Sequence, residues 1–490
     1  MTLLECNVDV LRLILENLTL ADLRSICLVH PCLRSLAEPL LYATVEIIFV
    51  TGQRAQIQPQ SITALVRSLL CRPELAAHVR TLSCRDGSRL GRMWGRKAPK
   101  ILVPDLDLRA AVSFVEGTRL SYRDRWIEEL GRGTLDAYVA VLLSRLPRLQ
   151  RLHLEAPFSV DTELTGLVVG SITCGPRLVT LAEADISASL QELRNVHICR
   201  RWQAEGEVAA RPVRNTENTL PFFHLPSLRE MFVSIDDPLV PVLPWPAGQP
   251  PSAPCLNTLY VDSRMRESYL GQLLAATPRL RSLRWKWYFH PDFEDESNNP
   301  VVNLDQLIPA LEQVRETLTE LAIMGYYGHA TLAVGPFPLR VQGSGKAFAG
   351  FECITKLFIP LVFLIGFSLP VRERLANCLP RTLEELTLTD DLYIDLDPHE
   401  LWPEAGHTGA IVTWLAEDVK ASTPRLRKLR LLLDVRDYEA SPEDEHVRNE
   451  IRQLAKAAGI DVMVTHGSEH LKKWSPDGTP ELSGYRPFAF

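Results

Sequence analysis

The sequence has few of the features that mark secreted, metal-binding or nucleic-acid-binding proteins. Its ten cysteines include no Cys-x-x-Cys pair and no Cys/His cluster at zinc spacing, which predicts reduced, mostly buried thiols. Basic residues form no long run, and the net charge of −7 with a pI near 6.0 argues against a nucleic-acid-binding surface. Reduced thiols are typical of intracellular proteins, so we expect a location in the cytoplasm, the nucleus or both.

Long apolar runs are also missing, which argues against a membrane protein. Glu5, Asp9 and Glu16 interrupt the apolar N-terminus, and no basic residue precedes it, so a signal peptide is not expected. The strongest apolar stretch, residues 357–371, contains two prolines and a glycine. It is shorter than the roughly twenty residues that a spanning helix needs. This stretch predicts a buried strand that leads into an apolar turn and helix.

The motifs of common enzyme classes are absent as well. No Gly-x-Ser-x-Gly sequence occurs, so a nucleophile elbow is not expected. The glycine-rich residues 343–347 do not form a phosphate loop, because Arg340 and Ala347 stand where that motif needs glycine and Ser/Thr. The acidic residues at 292–296 lack the glycine and ligand spacing of an EF-hand. We therefore expect no catalytic residues, no cofactor and no metal site.

The first fifty residues predict three short amphipathic helices. The apolar stripe of the first helix consists of Val10, Leu11, Ile14, Leu15 and Leu18. Thr19 followed by Asp22 is typical of a capping box at the start of the second helix. Pro31 suits the first turn of the third helix, where its missing N–H has no cost. So small a segment cannot bury all this apolar surface alone, so it needs a partner or a neighbouring domain.

These helices also follow the residue pattern of a known docking domain. The matching residues are Val10-Leu11, Ile14-Leu15, Leu18, Asp22-Leu23, Leu28-Val29 and Ala37-Glu38-Pro39-Leu40-Leu41-Tyr42. With them the segment resembles an F-box, in the divergent form found in fungal proteins. Cys6-Asn7 takes the place of the family's Leu-Pro pair, which contacts the Skp adaptor.

The F-box resemblance implies docking to the Skp adaptor and, through it, to a cullin. The residues expected to contact the adaptor are Val10, Leu11, Ile14, Leu18, Leu23 and Val29. Some of these six must instead hold the helices together, and sequence does not divide them. The alternative interpretation is a helical cap on the domain that follows.

A second pattern, often Pro and then Leu-x-x-Leu-x-Leu, recurs through the rest of the chain. The clearest copies begin at Pro147, Pro226, Pro278, Pro380 and Pro424. Weaker copies lie at 79–82, 178–181, 190–196, 256–261, 318–323 and 354–359. Helical patterns precede several copies, at 135–146, 269–276, 304–314 and 411–421. The proline ends the helix, and the last two apolar residues of each copy point to one face of a short strand.

One helix–strand unit cannot bury its own apolar face, so we expect the copies to stack. Stacking aligns the strands into a parallel sheet with the helices outside. The pattern resembles leucine-rich repeats, although the spacing is irregular and the consensus asparagine is missing. The expected fold is α/β: a three-helix F-box followed by an irregular leucine-rich-repeat-like solenoid with a parallel sheet. A compact α/β domain with dispersed strands is the alternative.

Stacking predicts which leucines are buried and where the domains end. The residues expected to be buried on short parallel strands are Leu152, Leu154, Leu228, Leu283, Leu386, Leu388, Leu429 and Leu431. The predicted order is an F-box-like domain at 1–45, a repeat domain at 46–464 and a tail at 465–490. Loops are expected near 85–100, which is basic, near 236–254, which is proline-rich, and near 290–300, which is acidic.

Together the two patterns predict a substrate-recognition subunit of an SCF-type ubiquitin ligase. The outward strand positions are the candidate contacts for an unknown target protein: Arg151, His153, Glu230, Phe232, Tyr260, Arg284, Lys286, Glu385, Thr387, Lys428 and Arg430. Trp285 and Trp287 should face the core, while a cation–π ligand site is the minor interpretation. We expect no nucleic-acid or membrane partner. A leucine-rich-repeat scaffold without ligase function is the alternative.

Overall fold

The computed structural model of the protein consists of two units, residues 1–256 and 257–490. The residues that it describes are 6–49, 60–86, 100–155, 158, 162–175, 186, 188–199, 215–235, 240–262, 266–289, 299–327, 339–367, 373–390, 392, 407–433 and 442–466. Within these residues no helix is both long enough and apolar enough to cross a membrane.

The first unit begins with the three predicted helices, α1 (Val8–Glu16), α2 (Leu20–Cys27) and α3 (Pro31–Ala43). The capping box is confirmed: the Asp22 amide donates to Thr19 Oγ1 at 3.2 Å, and the Thr19 hydroxyl donates to Asp22 Oδ2 at 2.6 Å. Pro31 occupies the first turn of α3 as predicted. Asn7 caps α1 by accepting the Asp9 amide at 2.9 Å, which gives this residue a structural role at the start of the helix.

The remainder of the first unit alternates helices and strands. Its helices are α4 (Gln60–Cys71), α5 (Pro73–Ala76), α6 (Asp105–Gly117), α7 (Arg123–Gly131), α8 (Leu135–Leu143), α9 (Glu163–Cys174) and α10 (Thr216–Thr219). Its strands are β1 (Thr44–Phe49), β2 (Thr81–Asp86), β3 (Arg151–Glu155), β4 (Asn195–Cys199) and β5 (Glu230–Val233). These five strands pair in parallel in chain order.

The second unit repeats the alternation. Its strands are β6 (Thr258–Asp262), β7 (Ser282–Phe289), β8 (Val301–Asn303), β9 (Glu320–Tyr327), β10 (Arg340–Gln342), β11 (Lys356–Pro360), β12 (Glu385–Thr389), β13 (Lys428–Leu433) and β14 (Asp461–His466). Its helices are α11 (Glu267–Ala275), α12 (Leu304–Glu312), α13 (Leu361–Ile365), α14 (His407–Thr413), α15 (Val419–Ser422) and α16 (Pro442–Ala457). Strands β6, β7, β9, β11, β12, β13 and β14 form one parallel sheet, and β8 pairs with β10 in a small second one.

The leucines of the repeated pattern form the core, as predicted. All eight leucines expected to be buried are at most 1% exposed. Leu386 and Leu388 lie on β12 and pair with Leu429 and Leu431 of β13 in parallel register. Leu228 is buried two residues before β5 begins, in the turn rather than on the strand. The expectation of a mixed α/β fold with a largely parallel sheet is confirmed.

Other local predictions can be compared residue by residue. The apolar stretch at 357–371 continues β11 and forms α13 within its described part, so the predicted buried strand and helix are confirmed. The loop near 236–254 is irregular from 240 onward apart from a short 3-10 turn at Pro246–Gly248. Residues 87–99, 178–181, 290–298 and 467–490 lie outside the described residues. Strand β14 continues to His466, slightly beyond the boundary predicted for the tail.

Candidate docking surfaces

The N-terminal helices build a small core of their own. Leu15, Leu23 and Ala37, one from each helix, form its centre. Half-buried apolar residues pack around them, namely Leu18, Ile26, Cys27, Leu36, Leu40 and Leu41. Because these side chains already fill the space between the helices, the remaining apolar residues of α1 and α2 point away from it.

That second apolar surface is exposed to solvent. Thirteen large hydrophobic side chains are exposed in the described part of the chain, and seven of them lie between residues 8 and 29. We call these seven the N-terminal apolar patch: Val8, Val10, Leu13, Ile14, Leu20, Leu28 and Val29. Val10, Leu13 and Ile14 share one face of α1, because residues three and four apart are neighbours on a helix. Leu28 is 88% exposed, and such concentration of exposed apolar side chains marks an interaction surface.

The structure divides the six predicted adaptor contacts into two groups. Val10, Ile14 and Val29 are exposed and belong to the N-terminal apolar patch. Leu11 and Leu23 are about 95% buried; Leu23 belongs to the core shared by the three helices, and Leu18 packs against that core. Sequence reasoning missed four further exposed residues, Val8, Leu13, Leu20 and Leu28. The three-residue spacing from Val10 to Leu13 was the available signal.

An ion pair fastens the third helix to the following elements. Both carboxylate oxygens of Glu38 accept from the Arg72 guanidinium, at 2.8 and 3.0 Å. These hydrogen bonds hold the pKa of the Glu38 carboxyl below its ordinary value. The Arg80 amide also donates to the Ala43 carbonyl at the start of β1. The helices are therefore tied to the sheet through α3, while the patch on α1 and α2 stays open.

A recurring backbone arrangement places each strand beside the previous one. At the start of β3, the amides of Gln150 and Arg151 both donate to the Arg80 carbonyl, at 2.8 and 3.0 Å. The same two-to-one arrangement joins Arg194 and Asn195 to Gln150. It recurs at the starts of β5, β7, β9, β11, β12 and β13. Buried apolar residues close the preceding turns, for example Leu149, Leu193, Leu280, Leu383 and Leu426.

The outward strand positions of the second unit form an ordered charge ladder. Glu320, Lys356, Glu385 and Lys428 occupy neighbouring places on β9, β11, β12 and β13. Lys356 Nζ lies 2.7 Å from Glu320 Oε1, and Lys428 Nζ lies 3.0 Å from Glu385 Oε1. The hydrogen bond that Lys356 donates to Glu320 raises the pKa of Lys356. These charges largely satisfy one another on the surface, and exposed pairs of this kind add little stability.

The next outward row mixes aromatic and cationic side chains. Tyr260 pairs in register with Arg284, and farther along the same row Thr387 pairs with Arg430. Tyr260, Arg284 and Arg430 are half-buried, whereas Thr387 is buried.

Lys286, two residues farther along β7, lies 3.9 Å from the buried Asp262. Trp285 and Trp287 are buried, which confirms that they face the core.

In the first unit the outward row is a stack of rings. His153 and His197 lie on adjacent strands with ring centroids 4.3 Å apart and planes within 7° of parallel. Phe232 follows at 5.3 Å from His197. His153 is only 2% exposed, so of this row's predicted target contacts only the half-buried Phe232 is open to solvent. Burial, and secondarily the charge of His153, hold the pKa of His197 well below its ordinary value. The outer contacts Arg151 and Glu230 are exposed.

The glycine-rich segment near residue 345 contacts an acidic side chain. The glycine-rich segment places Lys346 Nζ 2.7 Å from Glu373 Oε2, and Ser344 donates to the same carboxylate at 3.3 Å. The lysine is thus engaged by an acid rather than held open for a phosphate. No group of three or more His, Cys, Asp or Glu side chains within the described ranges is arranged to hold a metal ion.

Comparison with known proteins gives no further indication of function. No protein-family model matches this chain, and no curated protein sequence matches it. The function has to be inferred from the surfaces themselves.

Proposed function

We propose that this chain is the substrate receptor of an SCF-type, cullin-based ubiquitin ligase. In this role the N-terminal helices act as an F-box that docks the Skp adaptor, and the strand-bearing units hold a target protein. The chain carries out no chemistry itself. It acts by raising the local concentration of the target near the ubiquitin-loaded enzyme.

The N-terminal apolar patch is the observation that carries this proposal. A helical cap would turn its apolar residues onto the domain that it covers, and they would be buried. Instead Val10, Leu13 and Ile14 form an exposed stripe on a helix whose other stripe already packs in a core. Exposed apolar surface of this kind is unfavourable in water unless a partner covers it.

The recurring backbone arrangement supports the second half of the proposal. Each copy of the turn places a buried apolar residue, then two amides on one carbonyl, then a short parallel strand. We propose that these copies form an irregular leucine-rich-repeat-like solenoid. Stacked repeats present a row of outward strand residues, which suits the binding of another protein.

The test is binding of the purified chain to a purified Skp adaptor. The double variant Val10→Asp, Ile14→Asp adds two charges to an exposed surface, so the helices should remain folded. Burying those charges in an apolar interface costs several kcal/mol, so the Kd should rise more than about 100-fold. Ser35→Asp, which adds a charge at an exposed polar position of α3 outside the N-terminal apolar patch, is the control and should bind nearly normally.

Two results would contradict this assignment. Full binding by the double variant would mean that the docking face lies elsewhere on the helices. Absence of adaptor binding by the unaltered chain would remove the F-box interpretation and favour a repeat scaffold without ligase function. Leu11→Asp is not a clean test, because Leu11 is buried and its loss should unfold the three helices.

A further inference from the structure

A row of basic residues borders the first unit where its strands begin. Arg80, Gln150, Arg194 and Arg229 are the residues immediately before β2, β3, β4 and β5. Backbone hydrogen bonds join them in sequence, from Gln150 to Arg80 at 2.8 Å, from Arg194 to Gln150 at 2.9 Å and from Arg229 to Arg194 at 2.8 Å. Neighbouring strands are about 4.8 Å apart, so these residues form one continuous border.

Five arginines lie on this border, which we call the basic rim: Arg80, Arg148, Arg151, Arg194 and Arg229. Arg80 Nη1 donates to the Arg148 carbonyl at 3.1 Å and lies 3.7 Å from Glu192, so it is held in place. The side chains of Arg148, Arg194 and Arg229 are exposed and make no ion pair with any described residue.

The acids on the rim are too few to neutralise it. Glu192 and Glu230 are the acidic residues of these turns and strand starts. Glu192 lies near Arg80, and Glu230 accepts from the Asn195 amide group at 2.5 Å. In the second unit the first residues of β9, β11, β12 and β13 pair internally, and the exposed turn residues Arg279, Arg381 and Arg425 precede β7, β12 and β13, which are not three adjacent strands. The exposed Arg148, Arg194 and Arg229, at three adjacent strand starts of a chain of net charge −7, are therefore a local feature.

We propose that the basic rim binds a carboxylate-rich segment of a polypeptide, a run of Asp and Glu in extended conformation. The planar guanidinium donates two parallel hydrogen bonds to a carboxylate, which gives direction as well as charge. Four strand starts span about 14 Å, the length of about four extended residues. The net charge of −7 repels a long polyanion such as a nucleic acid more strongly than a short acidic segment that touches only the rim. That this acidic segment belongs to the target of the ligase rests on the proposed function.

The test uses the full-length chain and a fluorescent peptide of about ten glutamates, with a polyglutamine peptide for comparison. The chain should bind the glutamate peptide, more weakly at high salt, and should not bind the glutamine peptide. The triple variant Arg148→Gln, Arg194→Gln, Arg229→Gln should weaken binding about tenfold, because each exposed pair contributes modestly. Its thermal unfolding should match that of the unaltered chain.

The second unit offers a matched control. Arg279→Gln, Arg381→Gln, Arg425→Gln removes three exposed arginines from the corresponding turns and should change peptide affinity less than about twofold. Equal weakening by both triple variants would overturn the proposal. So would tighter binding of an RNA oligonucleotide, a phosphoserine peptide or phosphatidylserine vesicles than of the glutamate peptide.

The outcome is separable from that of the ligase proposal. The rim variant should bind the Skp adaptor normally, because its changes lie outside the N-terminal apolar patch. Peptide binding without adaptor binding would leave the rim assignment standing and remove the ligase role. Adaptor binding without peptide binding would leave the ligase role standing and remove the rim assignment.

Discussion

At the scale of single residues, the stacked histidines of β3 and β4 should make the stability of the chain depend on pH. His153 Nε2 lies 3.6 Å from Glu155 Oε1. The ring of His197 lies 4.3 Å from that of His153, and its pKa is lowered first by burial and then by electrostatic repulsion from His153. His197 is therefore held neutral in the folded chain.

This arrangement predicts an acid-sensitive stability. Because the folded pKa of His197 lies below the unfolded value of about 6.5, the unfolded chain binds more protons as the pH falls. Stability should decrease as the pH drops below about 6.5. His197→Phe keeps a ring in the stack and removes this proton uptake. Thermal unfolding from about pH 7.5 to 5.5 should show a smaller decrease for the variant than for the unaltered chain.

The control for this measurement is the exposed His446, whose replacement by Gln should leave the pH dependence unchanged. Parallel curves for the unaltered chain and His197→Phe would contradict the prediction. They would mean that the stack titrates identically in the folded and unfolded chains.

Residue burial was only partly predictable from the sequence. The spacing of Val10, Leu11, Ile14 and Leu15 predicts an apolar helix but not which stripe faces inward, because both stripes are apolar. In the structure Leu23 and Ala37, from the other two helices, pack on Leu15, so the stripe that contains Leu15 faces inward. Outward strand residues were uncertain for a related reason: their exposure depends on neighbours across the sheet.

At the scale of elements, the leucine pattern predicted the strands well and the inserted helices poorly. Alternating leucines such as Leu386 and Leu388 share one face of a strand, and that face must be buried in the core. Helices α6 and α7, between β2 and β3, were not predicted. Their buried apolar residues are few, namely Ala111 and Val115 on α6 and Trp126 and Leu130 on α7, and they do not follow the leucine pattern. Strands β8 and β10 have only three residues each, too few to show alternation.

Successive helices are joined by acidic side chains that accept the free amides of the next helix. Asp136 on α8 accepts from the amides of Leu164 and Thr165 at 2.7 and 3.1 Å, and from the Thr165 hydroxyl at 2.6 Å. Glu267 on α11 accepts from the Asn303 amide, just before α12, at 3.1 Å. Asp136 replaces the missing local cap of α9, whereas Asn303 itself caps α12 by accepting the Gln306 amide at 3.2 Å. Both acids help to fix the spacing of neighbouring helices.

Removing the charge of Asp136 should loosen the start of α9. An asparagine at this position has only one acceptor oxygen for three donors, so Asp136→Asn should cost about 1–2 kcal/mol of local stability. Hydrogen exchange of peptides covering 163–174 should become faster. Asp124→Asn changes an acid on α7 that is 87% exposed, and exchange in α9 should then be unaltered. Unchanged exchange in Asp136→Asn would show that the cap is dispensable.

At the scale of the whole molecule, the apolar patch and the strand rows are built by different means. The patch depends on three helices with their own small core. The strands depend on successive backbone pairing and on leucines contributed by each copy of the turn. In the described residues the main contacts between the two are made by α3, which packs on α5, pairs Glu38 with Arg72 and leads through Ala43 into β1. Removal of the three N-terminal helices should therefore leave the strands largely intact.

A chain that begins at Thr44 tests this separation. The predicted boundary at 45 would remove Thr44 and Val45, which pair with Thr81 and Leu82 of β2, so the cut is better placed before β1. The shortened chain should retain its strand content and unfold at a somewhat lower temperature, because the Glu38–Arg72 pair, the bond to the Ala43 carbonyl and the packing of α3 on α5 are lost.

Its binding should change selectively. In pull-downs quantified by mass spectrometry, the Skp adaptor and cullin should disappear from the shortened chain, whereas polypeptides held by the strand-bearing units should remain. A reconstituted ligase containing it should no longer ubiquitinate those polypeptides, because they are no longer held near the enzyme. Loss of the captured polypeptides from a shortened chain that is still folded would contradict the receptor assignment, since two docking surfaces on separate elements must fail separately.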